Sequence, residues 1–396
     1  MTLVISRNSM MTFKGTHNKT KEIANEVNAR YVLEGSVRKS GNNLRITAKL
    51  IDAYNDSHLW AEKDNGTIED IFDIQERVSR SIVEALNLKL TEEEDSHLSS
   101  HPIQNTKAYE CYIRARQEIW KFTEKGLDNA VILAQRGLEL MGDNALLYAT
   151  KSLALLFIQH YGIRSDPSNL NEAYGYAAKC MELDPNLPQV QFVQGILAFK
   201  KGHLQEAANI FKKVLHKDQN NPEALHFLIV SCFLSGKPAA AWPFAERLLQ
   251  VDPLTTISHS FPGFIELFSG NIEESLPYHQ KWLQMDPEGP FTRYWCACNF
   301  AFNNKLEDSI NLLNSLIKDT PALIFGKFAR FFKSALLCDR ENALKYITDE
   351  LKREAELLDY LPLYIAWGFA LIGEKMKQYT GLTEVSALAI HLIRFF

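Results

Sequence analysis

The chain has 396 residues, 46% of them hydrophobic and 23% charged, with a formal net charge of -5 at pH 7. That balance implies two or three packed domains rather than a disordered chain. It argues against nucleic-acid or membrane-surface binding through bulk positive charge.

The six cysteines, Cys111, Cys180, Cys232, Cys296, Cys298 and Cys338, form no CxxC pair and no disulfide-scaffold density. They read as small apolar packing residues in a reducing compartment, so a cytoplasmic setting is expected. Met1 to Arg7 is too short in its apolar part for a signal peptide. The apolar run Tyr360 to Ile372 carries Pro362 and is too short to span a bilayer, which predicts a buried helix.

In chain order, a β-hairpin comes first. Tyr31, Leu33 and Val37 alternate with Glu34, Ser36 and Arg38, and Leu44, Ile46, Ala48 and Leu50 alternate with Arg45, Thr47 and Lys49. Ser40-Gly41-Asn42-Asn43 between them supplies the turn, and the alternation predicts one buried face. Thr67, with Asp70 three residues on, is expected to open a helix with the apolar stripe Ile68, Ile71, Val78, Ile82 and Leu86. The polar residues 91–106 read as a linker.

Beyond it the punctuation is periodic. Asp184-Pro185, Asp252-Pro253, Asp286-Pro287 and Thr320-Pro321 are spaced by 34 or twice 34, with Asp218 in the missing slot. Gly202, Gly236, Gly270 and Asn304 keep the same step, as do Ala207, Ala241, Ser275 and Ser309, and Leu215, Leu249, Leu283 and Ile317. A Gly or Asn between apolar segments supplies the left-handed residue that reverses the chain, and a proline prevents the second helix from continuing. The unit is therefore two helices and two turns, whose open apolar face only a neighbouring unit can cover. An earlier unit is expected from Ala108 to Gly142, and the next carries an insertion, Ile163 to Asn171. Further helices are expected from Ala322 toward Gln378.

This unit resembles the tetratricopeptide repeat, with Gly195 and Phe211 at the family's small and aromatic positions, while Ala245, His279 and Leu313 depart from the aromatic. The amino-terminal part resembles the TolB-like domain of bacterial signalling proteins. That resemblance rests on Val4-Ile5-Ser6-Arg7, Phe13-Lys14-Gly15, the block Tyr31 to Arg38, Leu44 to Thr47, Leu50-Ile51-Asp52, His58 to Glu62 and Asp70-Ile71-Phe72. In such proteins the domain lies between an output domain, often a class III adenylate cyclase or a serine/threonine kinase, and a tetratricopeptide tail. The resemblance implies a mostly α fold: a small α/β domain over residues 1–90 lacking its first strand and helix, a linker over 91–106 and a tetratricopeptide-type α-solenoid over 107–378. Residues 379–396 form a tail that does not follow the pattern.

No phosphate-cradling GxxxxGK[ST] loop, HExxH zinc pair, GxSxG elbow or kinase signature occurs. Glu273-Glu274 and Glu307-Asp308 read as first-turn helix charges, His97 and His101 as linker residues, and Trp60 as a core aromatic of the small sheet. No catalytic, cofactor or metal residue is assigned. The resemblance places Phe192, Ile196, Phe199, His226, Val230, Phe233, Phe264, Phe268, Phe291, Tyr294 and Phe302 along the concave groove, where an apolar peptide or helix could lie. The same residues also fit packing between repeats, and both readings stand. The expected function is a non-catalytic protein-interaction module of bacterial signalling. The alternative is a regulatory part of a multidomain cyclase or kinase whose catalytic domain lies outside this chain. A partner in the groove and self-association through an incomplete sheet edge are the expected contacts, with no nucleic acid and no membrane.

Overall fold

A computed structural model describes residues 3–16, 18–99, 101–121, 123–160, 167–349, 351 and 361–373. The expected tail 379–396 and residues 163–166 of the expected insertion lie outside the described residues, whereas 167–171, expected as loop, begin a helix, Pro167–Leu183. Two short helices, α1 (Arg7–Met11) and α2 (Thr20–Glu26), precede an antiparallel sheet of β1 (Tyr31–Ser40), β2 (Asn43–Asp52) and β3 (Ser57–Thr67), in that spatial order. Ser40 pairs with Asn43, so Gly41-Asn42 forms the two-residue turn, with Gly41 at φ 60°.

The helix after the sheet, α3 (Ile71–Ala85), begins later than the expected Thr67. Asp70 Oδ2 accepts from the Thr67 N–H at 2.7 Å and from its hydroxyl at 2.9 Å, so the capping pair closes a turn before the helix. Ile74, outside the expected stripe, is its buried residue, and Gly66 on β3 gives it room. Arg77 pairs with Asp64 and Glu62 on β3 and holds the helix over that side of the sheet.

One expectation is corrected here. Tyr31, Leu33 and Val37 are 37%, 52% and 65% exposed, rather than forming a buried face. Their cross-strand partners on β2, Asp52, Leu50 and Ile46, lie nearer α3, and Leu50 is only 2% exposed. Helix α3 packs on β3, the strand farthest from β1, and the Tyr31, Leu33 and Val37 side of β1 stays open among the described residues. Val4 to Ser6, which the resemblance aligns with a strand, have no regular structure here and lead into α1.

Helix α4 (Glu92–Leu98) occupies part of the expected linker. Paired helices follow: α5 (Thr106–Ile119) with α6 (Glu124–Met141), and α7 (Ala145–His160) with α8 (Pro167–Leu183). Next come α9 (Pro188–Lys200) with α10 (Leu204–Lys217), and α11 (Pro222–Leu234) with α12 (Trp242–Val251). The series continues through α13 (Phe261–Ser269), α14 (Ile272–Met285), α15 (Pro290–Phe302), α16 (Leu306–Asp319), α17 (Ile324–Leu336), α18 (Arg340–Tyr346) and α19 (Leu361–Leu371). Helical segments start at Pro188, Pro222, Thr256, Pro290 and Ile324, and their partners at Leu204, Pro238, Ile272, Leu306 and Arg340. Both series step by 34. The fold is a mostly α tetratricopeptide-type solenoid with a small three-stranded sheet at its amino-terminal side.

In two consecutive units α12 and α13 are preceded by 3-10 turns, Pro238–Ala241 and Thr256–Ser260. Pro243 and Pro262 have no N–H for the i−4 carbonyl, so α-helical bonding starts only at these positions. The reversal residues sit where the spacing placed them. Gly202, Gly236, Gly270 and Asn304 have φ of 77°, 70°, 89° and 58°, and Cys338 continues the series at 56°.

Between paired helices the packing is complementary in volume. Gly195 faces the ring of Phe211, and a Cβ there would lie 2.5 Å from a ring carbon. Gly263 faces the ring of His279 in the same way, at 2.7 Å. The corresponding slots hold Ile229 with Ala245 and Ala297 with Leu313, all fully buried, so a large residue on one helix goes with a small one on the other.

Two substitutions test this geometry. Gly195→Ala should destabilise by about 1–3 kcal/mol because the Phe211 ring has nowhere to move. Cys338→Gly, at an exposed left-handed residue, should stabilise by about 0.5–1 kcal/mol. Urea denaturation followed by circular dichroism measures both; an unchanged midpoint in either would show that its contact or strain is absent.

Candidate functional site

The first helices of successive units, α5, α7, α9 and α11, lie side by side, and residues on them line a cleft together with α3 and α4. The cleft has a volume of about 460 Å³. Ala149, Leu153, Phe192 and Val193 make its floor, Val83 and Leu98 its opposite wall, and Lys217, Asp218 and Asn221 one rim. Floor and wall are mainly apolar, while the rim is polar.

Arg116 on α5 and Glu223 on α11 both line this cleft and approach to 3.8 Å. The Arg116 guanidinium also lies 5.6 Å from the centre of the Trp120 ring. Burial holds the Glu223 carboxyl above its usual range, while the Arg116 charge pulls the other way. The cleft thus combines an apolar floor with a partly desolvated ion pair, a combination that can both bury a side chain and fix its orientation.

Of the eleven expected groove residues, Phe192, Ile196, Phe199, Phe233, Phe264, Phe268, Tyr294 and Phe302 are buried inside the stack. Only His226, Val230 and Phe291 are half-buried. The aromatic members form a ladder between neighbouring units. Phe192 and Phe199 lie 5.9 and 5.6 Å from Phe227, Phe233 lies 5.5 Å from Phe268, and Phe264 lies 4.7 Å from Trp295. Phe291 reaches Phe325 at 5.5 Å, and Phe302 reaches Trp367 at 5.0 Å. Rings at these separations and tilts pack edge to face as well as burying area. The surface-reaching part of the expected set is therefore His226, Val230 and Phe291, with Phe192 reaching the cleft floor.

Sequence reading missed Arg116 and Glu223. The signal available was a charge on an otherwise packed helix face and an acid in the first turn of α11, and neither identifies its partner. Phe227 and Trp295, the hubs of the ladder, were missed too. Among the described residues, no cluster of His, Cys, Asp or Glu gathers as a metal site, and no helix is long and apolar enough to cross a membrane.

A comparison with protein-family profiles finds no match. The chain is 35% identical over 206 residues to "Putative adenylate cyclase 3" of Rhizobium meliloti (strain 1021), an alignment covering 52% of this chain and 35% of that protein. It thus spans about a third of that relative's length. Among solved structures, it is similar to a tetratricopeptide repeat protein from Parabacteroides merdae ATCC 43184, at 14% identity and a TM-score of 0.45, covering 66% of this chain and 99% of that one. It is also similar to YrrB, described as a TPR protein with an unusual peptide-binding site, at 19% identity and a TM-score of 0.33, covering 49% and 95%. At these identities and scores, the repeat architecture of this chain rests on its own 34-residue steps.

Behind the ladder, His279 is buried, with Nδ1 3.0 Å from the Ser275 carbonyl oxygen and its ring 5.3 Å from that of Phe264. A neutral ring donates through Nδ1–H to that carbonyl, and Nε2 has no hydrogen-bond partner. Burial pushes its pKa down from 6.5 to about 4. Above the ordinary value the ring is neutral in folded and unfolded chains alike. As the pH falls toward about 4, the unfolded chain takes up a proton that the folded one refuses, and stability drops. His279→Phe puts the aromatic of the Gly195–Phe211 pair in this slot. Its unfolding free energy relative to the wild type should grow by roughly 1–2 kcal/mol between about pH 7 and 5. A difference independent of pH in urea titrations would show that the imidazole is not held neutral.

Proposed function

We propose that this chain is a non-catalytic protein-interaction module whose concave repeat face holds a peptide or short helix of a partner. The observation that carries this reading is the cleft walled by α3 and α4 on one side and by α5, α7, α9 and α11 on the other. Its apolar floor suits an apolar side chain, and the Arg116–Glu223 pair at its edge suits a polar backbone or a charged neighbour. His226, Val230 and Phe291 extend the contact along the repeats. The other expected groove residues support it from beneath, by setting the spacing of the helices.

Full-length protein panned against a displayed library of random peptides should enrich related sequences. Arg116→Glu should weaken the enriched peptides by roughly tenfold or more, because a desolvated charge is then left facing Glu223. Absence of enrichment, or undiminished binding by a variant with wild-type circular dichroism, would remove the cleft from consideration.

The similarity to the Rhizobium protein favours a second reading, in which this chain is the regulatory part of a cyclase-linked signalling system. The TolB-like resemblance of residues 1–90 points to the same bacterial setting, and we place the module in the cytoplasm. On either reading the chain does not make cyclic AMP itself. Purified protein incubated with ATP and Mg²⁺ or Mn²⁺ should form none above a heat-inactivated control. Sustained formation would overturn the non-catalytic assignment.

A further inference from the structure

The residues that end the second helices, Asp184, Asp218, Asp252 and Asp286, recur every 34 positions, yet only Asp252 is buried, at 3% exposure. Asp184 and Asp218 satisfy themselves locally. Each accepts, through Oδ1, the N–H of the residue two further on, from Asn186 at 3.0 Å and Asn220 at 3.1 Å. At Asp252 that local bond is replaced by one made through a distant residue. The N–H two further on, from Leu254, donates to Ser9 Oγ at 3.0 Å, and Ser9 Oγ donates to Asp252 Oδ1 at 2.7 Å. Ser6 Oγ donates to the same oxygen while accepting the Ser9 N–H at 3.1 Å, and the Ser6 N–H donates to the Val251 carbonyl at 2.6 Å. Ser258 Oγ stands 3.5 Å from the other carboxylate oxygen.

We infer that the turn at Asp252 is an acceptor site for a peptide presenting two hydroxyls one helical turn apart, Ser/Thr-x-x-Ser/Thr, and that residues 4–12 occupy it in cis. The chemistry is specific in two ways. The bridging group must accept from Leu254 N–H and donate to a carboxylate, which a hydroxyl does and an ammonium or an ionised carboxylate does not. The second hydroxyl must cap the helix that carries the first, which sets the spacing.

Within the cis occupant, Ile5, Asn8 and Met10 are half-buried, as is Phe13 just after it, and only Ser6 and Ser9 are fully buried. Arg7, Met11 and Thr12 around them are exposed, as are Lys14 to Thr16 in the stretch that follows. Docking also brings Arg7, partly desolvated, toward the like charge of Arg116 at the cleft. The segment thus sits at the turn one repeat beyond the one whose Asp218 and Asn221 line the cleft. A hydroxyl-bearing partner peptide would displace it, and until then the tethered segment competes at high effective concentration. The identity of the partner peptide rests on the groove reading, whereas the site itself rests on Asp252 and its neighbours.

Hydrogen exchange on the full chain tests the site. The amides of Ser6 and Leu254 should be protected in the wild type. In both Asp252→Asn and Ser6→Ala/Ser9→Ala they should exchange roughly tenfold faster or more, with α15 and α16 unchanged. A labelled peptide of residues 3–16 should bind the Ser6→Ala/Ser9→Ala chain roughly tenfold tighter than the wild type, and lose this gain when Asp252→Asn is added. Free-peptide exchange of residues 4–12 in the wild type would overturn the inference. So would unchanged protection in both variants, or equal peptide binding by wild type and Ser6→Ala/Ser9→Ala. Library peptides that bind the cleft and are lost in Arg116→Glu would leave the groove reading standing after such a failure.

Discussion

A hairpin of two short helices cannot bury both of its apolar faces, and everything in this solenoid follows from that shortage. Each unit is stable only when its neighbour covers it, so the step between units must be held constant. The chain holds it at 34 residues from Pro188 to Arg340. It also keeps the helix separation constant by exchanging volume between paired slots: Gly195 with Phe211, Ile229 with Ala245, Gly263 with His279, Ala297 with Leu313. A histidine in the third of these pairs fills the place of a phenyl ring. Its second nitrogen is left without a partner, which ties the stability of that unit to pH.

The aromatic ladder is the same constraint seen between units. Phe227, Phe264 and Trp295 each touch rings on more than one other helix, and Phe233 reaches across to Phe268 on α13, so they join neighbouring hairpins into one body. Their burial leaves the concave face with few protruding aromatics. On the reading proposed above, recognition falls where the Arg116–Glu223 pair, the rim residues and the wall of α3 and α4 surround a cleft. A groove whose floor is already committed to packing can hold a ligand without losing its own shape.

One repeat departs from the others at Asp252. There the turn that closes locally in the units ending at Asp184 and Asp218 is opened, and a hydroxyl from the amino-terminal segment completes it. Local satisfaction at the other turns makes this one the place where a distant segment can attach. It also ties the amino-terminal segment to the middle of the solenoid through polar contacts. Meanwhile β1 keeps Leu33 and Val37 uncovered, so the sheet domain is the less completely packed half of the molecule.

The amino-acid sequence by itself determined the period, the β1–β2 hairpin and the reversals at Gly202, Gly236, Gly270 and Asn304, because those depend on local chemistry. Proline cannot continue a helix, Gly or Asn accepts a left-handed residue, and Gly41-Asn42 closes a hairpin. Cys338 escaped notice because a cysteine carries no such local signal, although its φ of 56° continues the Gly202 series. What only the tertiary structure decided is which side of each aromatic helix is spent on the neighbouring unit, why Tyr31 and Val37 remain uncovered, and which charges and hydroxyls meet. Arg116 with Glu223, and Ser6 and Ser9 with Asp252, are brought together from far apart in the chain. Such pairs leave no periodic trace, because they depend on how the stacked repeats curve and not on any residue's own backbone preference.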